Sequence, residues 1–147
     1  MSTPQARSAV KFDLFADAAR KRKIETLGDP LQIITRHIDF AHLARVVDQL
    51  LPRGDTSKGG RPPYPTEVMV RILVLKHLYN LSDEQAEYQL LDRMSYQRFC
   101  LLTDSANIPD RNTIWHYQQR LGADGAAALF QALDGQLLRH GYLARCG

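Results

Sequence analysis

The stretch GGRPPYPTEVMVRILVLKHLYNLSDEQ, from Gly59 to Gln85, decides the fold. It runs from a stiff basic turn into the most apolar segment of the chain and then into a polar restart. Pro62, Pro63 and Pro65 restrict the backbone and keep the residue before each proline out of helical conformation. Thr66 is then placed to cap the helix that follows. From Val68 to Tyr79, the residues Val68, Met69, Val70, Ile72, Leu73, Val74, Leu75, Leu78 and Tyr79 occupy nearly the whole helical wheel. Such a helix must be covered on most sides, which predicts the central core element; a groove for a partner is the other use of the same surface. Full burial contributes ~1.5–3 kcal/mol per large apolar side chain, so this helix should dominate stability. In NLSDEQ, Ser82 with Gln85 three residues on forms a capping box, and Asp83 and Glu84 suit the positive end of the next helix.

Outward from this stretch the chain again reads as helices and loops. Downstream, a helix to about Asp92 turns Ala86, Leu90 and Leu91 inward. MSYQRFCLL is a short element with Ser95 as a second possible cap. The loop TDSANIP leads to Pro109, which breaks the chain, and to Asp110, which can cap DRNTIWHYQQRLG; Gly122 suits its stop. The last helix, ADGAAALFQALDGQLLRHG, should bury Ala127, Leu129, Phe130, Leu133 and Leu137 and end at Gly141. Within it Gly135 is a weak point of about 1 kcal/mol relative to alanine. Upstream, FDLFADAARKRKIETL puts Phe12, Phe15, Ala19 and Leu27 loosely on one face, with Arg20, Lys21, Arg22 and Lys23 exposed. In GDP, Asp29 caps a helix that Pro30 opens. IDFAHLARVVDQLLP carries a cap at Asp39 and recurs apolar at Phe40, Leu43, Val47, Leu50 and Leu51 until Pro52. RGDTSKGGRPP is a loop by composition. No convincing period-2 strand and no internal repeat occur. The expected fold is all-α: a compact multi-helix domain with a helix-turn-helix-like unit around a central apolar helix. Residues 1–27 form an N-terminal helical arm and 28–147 the main domain.

Composition excludes several classes. At 147 residues, 44% hydrophobic and 24% charged, the chain is an ordinary globular domain able to bury a core. Its net charge of +3 and pI near 9.0 suit nucleic acid without demanding it. No apolar run approaches the ~20 residues of a membrane span. MSTPQARSAVKF has no hydrophobic signal core, so a cytoplasmic protein is expected. Cys100 and Cys146 lack metal or redox spacing and read as buried or incidental thiols. His37, His42, His77, His116 and His140 share no ligand spacing on one face. No nucleophile–base or phosphate-loop signature appears. No aspartate sits at the end of a predicted strand, where a two-metal site would fix its carboxylates. Nothing in these patterns calls for catalysis, a metal or a cofactor.

The segment from Asp110 to Leu121 is where binding chemistry concentrates. At 100° per residue, Ile114, Tyr117 and Leu121 form a narrow inward stripe. Asn112, His116 and Gln119 lie opposite, flanked by Arg111, Thr113 and Arg120, with Trp115 at the border. Asn, Gln and Arg match base edges and phosphates with paired hydrogen bonds, and a helix preceded by two shorter ones is how a helix-turn-helix offers its reading helix. Any surface helix, though, turns polar residues outward. Asp83, Glu84, Glu87 and Asp92 make the preceding helix acidic, so that face should point away from phosphate. Lys58 and Arg61, with Arg53 nearby, lie on a glycine-rich turn that either follows a DNA backbone or is simply solvated. The run Arg20 to Lys23 is an exposed helix face.

In order, these motifs resemble the N-terminal region of bacterial transposases of the insertion-sequence-five family, within the wider DDE group. The resemblance rests on LGDPL and IDF within 27–40, on KGGRPPYPTEVMVRILVLKHLYNLSDEQAEYQLLDRMSYQRFCLL, and on IPDRNTIWHYQQRLG. It implies an all-α domain that binds transposon-end DNA and associates with itself or with full-length transposase, in the bacterial cytoplasm and at the nucleoid when DNA-bound. In that family a ribonuclease-H-like catalytic domain follows, opening on a strand with the first catalytic aspartate. This sequence ends at RHGYLARCG, before such a strand, and no position here takes the family's catalytic carboxylates. The expectation is therefore a non-catalytic chain with no membrane partner. Two further readings stay open: a pure interaction module, such as a dimerisation unit or inhibitor, and a transposase completed in trans by a second chain.

Overall fold

A computed structural model describes residues 8–51 and 63–141. Among them are seven helices and no strand: α1 (Ala16–Leu27), α2 (Pro30–His37), α3 (Phe40–Leu50), α4 (Thr66–Tyr79), α5 (Asp83–Asp92), α6 (Met94–Phe99) and α7 (Arg111–Arg139). The all-α expectation holds, and α4 is the centre. Every residue from Val68 to Leu75 is buried, Arg71 included. Helices α3 and α7 pack on α4 and on each other, α5 bridges α4 and α7, and α6 joins α5 to α2.

Local capping chemistry explains where the helices start. The Asp29 carboxylate accepts from the Leu31 amide with Pro30 at the first helical position, and Asp39 accepts from the His42 amide. Ser82 and Gln85 form the reciprocal capping box. Thr66 does not cap α4. Pro65 itself takes the last non-helical position, at φ −55° and ψ 144°, so Thr66 falls one residue inside the helix. Its hydroxyl instead donates to Asp48 at 2.6 Å and ties α4 to α3. Nor does Ser95 cap α6: Arg93 ends α5 and begins α6 at once, leaving Ser95 in the first turn.

Around α4 the core collects Phe40, Leu43 and Val47 from α3, Ala86 and Leu90 from α5, Tyr96 and Phe99 from α6, and Ile114, Leu121, Leu129 and Leu133 from α7. Phe40 and Phe99 meet edge to face at 5.5 Å. Between them the chain buries a cation. The Arg71 guanidinium lies 4.3 Å from the Phe40 ring centre, donates to the Phe99 carbonyl at 2.9 Å and pairs with Glu67 at 3.1 Å.

Several apolar residues assigned inward lie outside. Leu91 is 60% exposed, and Leu50, Leu78 and Tyr79 also reach solvent. The apolar run of α4 outlasts its cover by one turn. Helix α1 starts only at Ala16, so Phe12 and Phe15 lie ahead of it rather than on its face; no residue of α1 is buried, and Phe12, Phe15 and Leu27 are exposed. In α7 the wheel changes phase. Gly122, at φ 70° and ψ 175°, stops the first half as expected, but a second helical half resumes immediately. Past this break the buried stripe is Gly125, Leu129, Leu133 and Gln136, while Ala127 is exposed. Gly125 lets Leu121 fold back over it, since an added Cβ would sit 2.7 Å from the leucine methyl.

Gly135 has open space where a Cβ would stand and keeps a helical backbone. Gly135→Ala should therefore stabilise the protein by ~0.5–1 kcal/mol in urea unfolding. A loss of stability would mean that this half of α7 is not the packed helix described.

Candidate nucleic-acid interface

The first half of α7 is held from its N-terminus. Asp110 accepts from the Thr113 amide at 2.7 Å. That backbone hydrogen bond, then the Thr113 hydroxyl, holds the Asp110 carboxyl below its ordinary range. A lowered folded-state value stabilises the protein above the unfolded carboxyl value of ~3.9 and is lost as pH falls through the folded one. Asp110→Ala should cost ~1 kcal/mol at pH 7, and thermal melts should show the gap from wild type closing below pH ~4. A gap that is constant with pH would remove the charged cap from the account.

Ile114 and Leu121 are buried and Tyr117 half-buried, so the inward stripe is in place. Burial, with Asp48 nearby, pushes the Tyr117 phenol up to about 12, and it stays protonated. Opposite this stripe Asn112, His116, Gln119 and Arg120 are exposed, with Trp115 half-open beside them at 49%. Thr113 is half-buried and spends its amide on the cap.

Arg111 is engaged within the fold. Its Nε and Nη2 donate to Glu87 Oε1 at 3.0 and 2.9 Å, Nη1 pairs with Glu84 at 3.2 Å, and its amide donates to Glu87 Oε2 at 2.9 Å. The Glu87 hydrogen bond is the largest cause raising the Arg111 pKa. The acidic helix α5 thus does not point away; two of its carboxylates sit against the N-terminus of α7. Arg111 neutralises part of that charge, and the donors left outward are Asn112 beside it and His116, Gln119 and Arg120 one to two turns further along. The connection from α6 to α7 spans residues 100–110, longer than the three or four residues of a helix-turn-helix turn.

Sequence periodicity missed Gln118 and what lies beside it. Gln118 donates to Asp83 at 2.9 Å, and Asp83 also pairs with Lys76, so α4, α5 and α7 are knitted at one point. Next to this knot the break at Gly122 opens a groove of about 400 Å³, lined by His77, Gln119, Phe130 and their neighbours. His77 stacks on Phe130 at 4.3 Å. The signal for the groove was the glycine itself, which lets the two halves of α7 diverge.

The remaining candidates separate. Lys58 and Arg61, with Arg53, lie outside the described residues. In the basic run, Arg20 pairs with Asp17 at 3.6 Å and Lys21 with Asp104 at 3.1 Å, while Arg22 and Lys23 are exposed. His37, His42 and His140, scattered in sequence, meet with Asp39, Gln136 and Arg139 around one cleft. There the buried Gln136 amide accepts from the Asp39 N–H at 2.6 Å and donates back to its carbonyl. Among the described residues no group of His, Cys, Asp and Glu is arranged to hold a metal ion. Cys100 is buried, which pushes its thiol up to about 12; Cys146 lies outside the described residues. No described helix is long and apolar enough to cross a membrane.

What these elements make is a helical domain built on one apolar helix, displaying a capped helix with amide and guanidinium side chains outward. Residues 19–120 match the family described as Transposase domain (DUF772), and the chain belongs to that family. The match starts inside α1 and closes at Arg120, taking in the whole of α2 to α6 and the outward-facing turns of α7. No solved structure matches the chain.

Proposed function

We propose that the chain is the DNA-binding and self-association part of an insertion-sequence-five, DDE-group transposase, that it recognises transposon-end DNA, and that it is not catalytic by itself. One observation carries the reading: Asn112, His116, Gln119 and Arg120 stand exposed on one side of α7 while Ile114 and Leu121 anchor the other in the core. Membership of a transposase family supplies the polymer such a face would meet. The reading helix is braced by α5, and the connection over residues 100–110 stands where a helix-turn-helix has its tight turn.

Binding titrations on transposon-end and scrambled duplexes test this. Asn112→Ala or Gln119→Ala should cost ~1–3 kcal/mol on the cognate end and little on scrambled DNA. Arg120→Ala should weaken both alike and lower the salt slope by about one. Lys58→Ala or Arg61→Ala should behave like Arg120→Ala if the glycine–proline turn follows the backbone. Intact binding after the α7 substitutions, with loss only in the turn, would move the DNA contact away from α7.

A further inference from the structure

Helix α1 is held to the rest of the domain on one side only, and lightly. Lys21 and Ile24 are half-buried, and two ion pairs, Lys21–Asp104 and Glu25–Arg98, connect it to the α6 region. Exposed pairs of this kind add little to stability. The opposite side shows Ala19, Arg22, Lys23 and Leu27 to solvent, and Phe15, the residue just ahead of the first turn, is 73% exposed. A twelve-residue helix is marginal in water without packing, so this face lacks the cover that would hold it.

A complementary face exists on α5. Its inner side buries Ala86 and Leu90. Its outer side presents Tyr88, Leu91 and Asp92, with Tyr88 64% and Leu91 60% exposed, and at its edge Glu84, which pairs with Arg111 at 3.2 Å while its side chain stays 72% exposed. The arm face is apolar and basic; the α5 face is apolar and acidic. Laid antiparallel, the two match along their length. Arg22 and Lys23 come opposite Glu84, Ala19 leaves room for the Tyr88 ring, and Phe15 meets Leu91. The C-terminal end of α1 then lies beside the N-terminal end of α5, the favourable arrangement for the helix dipoles.

We propose that the arm of one copy docks in this way on the outer face of α5 of a second copy. The proposal rests on the self-association reading above and names its surface. It also lays the basic side chains of the arm against the exposed part of Glu84 while the α7 face stays open.

The test is sedimentation equilibrium on the full chain, with DNA binding measured in parallel. Phe15→Ser and Leu91→Ser should each weaken the dimer at least about tenfold, and the paired reversal Arg22→Glu, Lys23→Glu should do the same. These side chains are exposed, so circular dichroism and melting of the monomer should not change. Adding Glu84→Lys to the arm reversal should restore association, which a merely structural defect would not allow. A dimer insensitive to all of these overturns the proposal and leaves self-association standing through another face. A chain that is monomeric throughout overturns both. Weaker DNA binding by the arm variants with unchanged association would assign the arm to DNA instead; the α7 substitutions report on DNA reading separately.

Discussion

Leu75→Asp is expected to leave no cooperatively folded protein. Leu75 is 1% exposed in the middle of the helix on which α3, α5 and α7 converge. Removing the leucine side chain alone costs ~2–5 kcal/mol through lost burial and the cavity left behind. The carboxylate adds several kcal/mol more, because it must either shed its water unpaired or take up a proton. A domain of this size holds only ~5–15 kcal/mol in reserve, so the sum reaches the whole of its stability. Far-UV circular dichroism with thermal melting reads this directly. The wild type should be helix-dominated with a sharp transition, and the variant should have lost that transition. A soluble, cooperatively melting Leu75→Asp protein would mean that α4 is not the centre of the core.

The second large effect concerns the cation in that core. Arg71→Ala should cost ~3–5 kcal/mol, since it leaves a void between two phenyl rings and takes the donor from the Phe99 carbonyl. Arg71→Met should cost much less. The guanidinium Nε has no hydrogen-bond partner among the described residues, so the native pairing is incomplete. A long apolar side chain fills the same space without the desolvation penalty, and Glu67 keeps enough exposure to hydrate. Urea midpoints of the two variants check the contrast. Equal, large losses would show that the charge itself, rather than filling the space beneath Phe40, is what this position supplies.

Much of the fold was legible because its decisive chemistry is local. Asp29, Asp39, Ser82 with Gln85, and Asp110 cap their helices through bonds that span two or three residues, and such bonds are written in adjacent letters. The same logic failed at Thr66 and Ser95, where a neighbour had already taken the cap position. Amphipathic spacing states which face of a helix prefers cover, not whether cover is present, so Leu91, expected inward, is open, and the apolar residues of α1 have no cover. In the last helix the interrupted phase at Gly122 moved burial from Ala127 to Gly125 and Gln136. Arg71 was passed over because the wheel around it is apolar. Its clue was an arginine with no exposed side to occupy and a glutamate one turn earlier. For the candidate interface, the anchoring stripe and the outward Asn112, His116, Gln119 and Arg120 followed from periodicity. The capture of Arg111 by Glu84 and Glu87 did not, because it joins residues more than twenty positions apart.

The central claim is that the outward side of α7, and not the outer side of α5, meets DNA. Photo-crosslinking separates the two most directly, with a photoreactive residue placed at Gln119 in one protein and at Tyr88 in another, each mixed with a transposon-end duplex. Both positions are exposed, so the label should not disturb the core. The account predicts crosslinks from position 119 that unlabelled end DNA competes away better than scrambled DNA, and none above background from position 88. Crosslinks from position 88 with none from position 119 would contradict it.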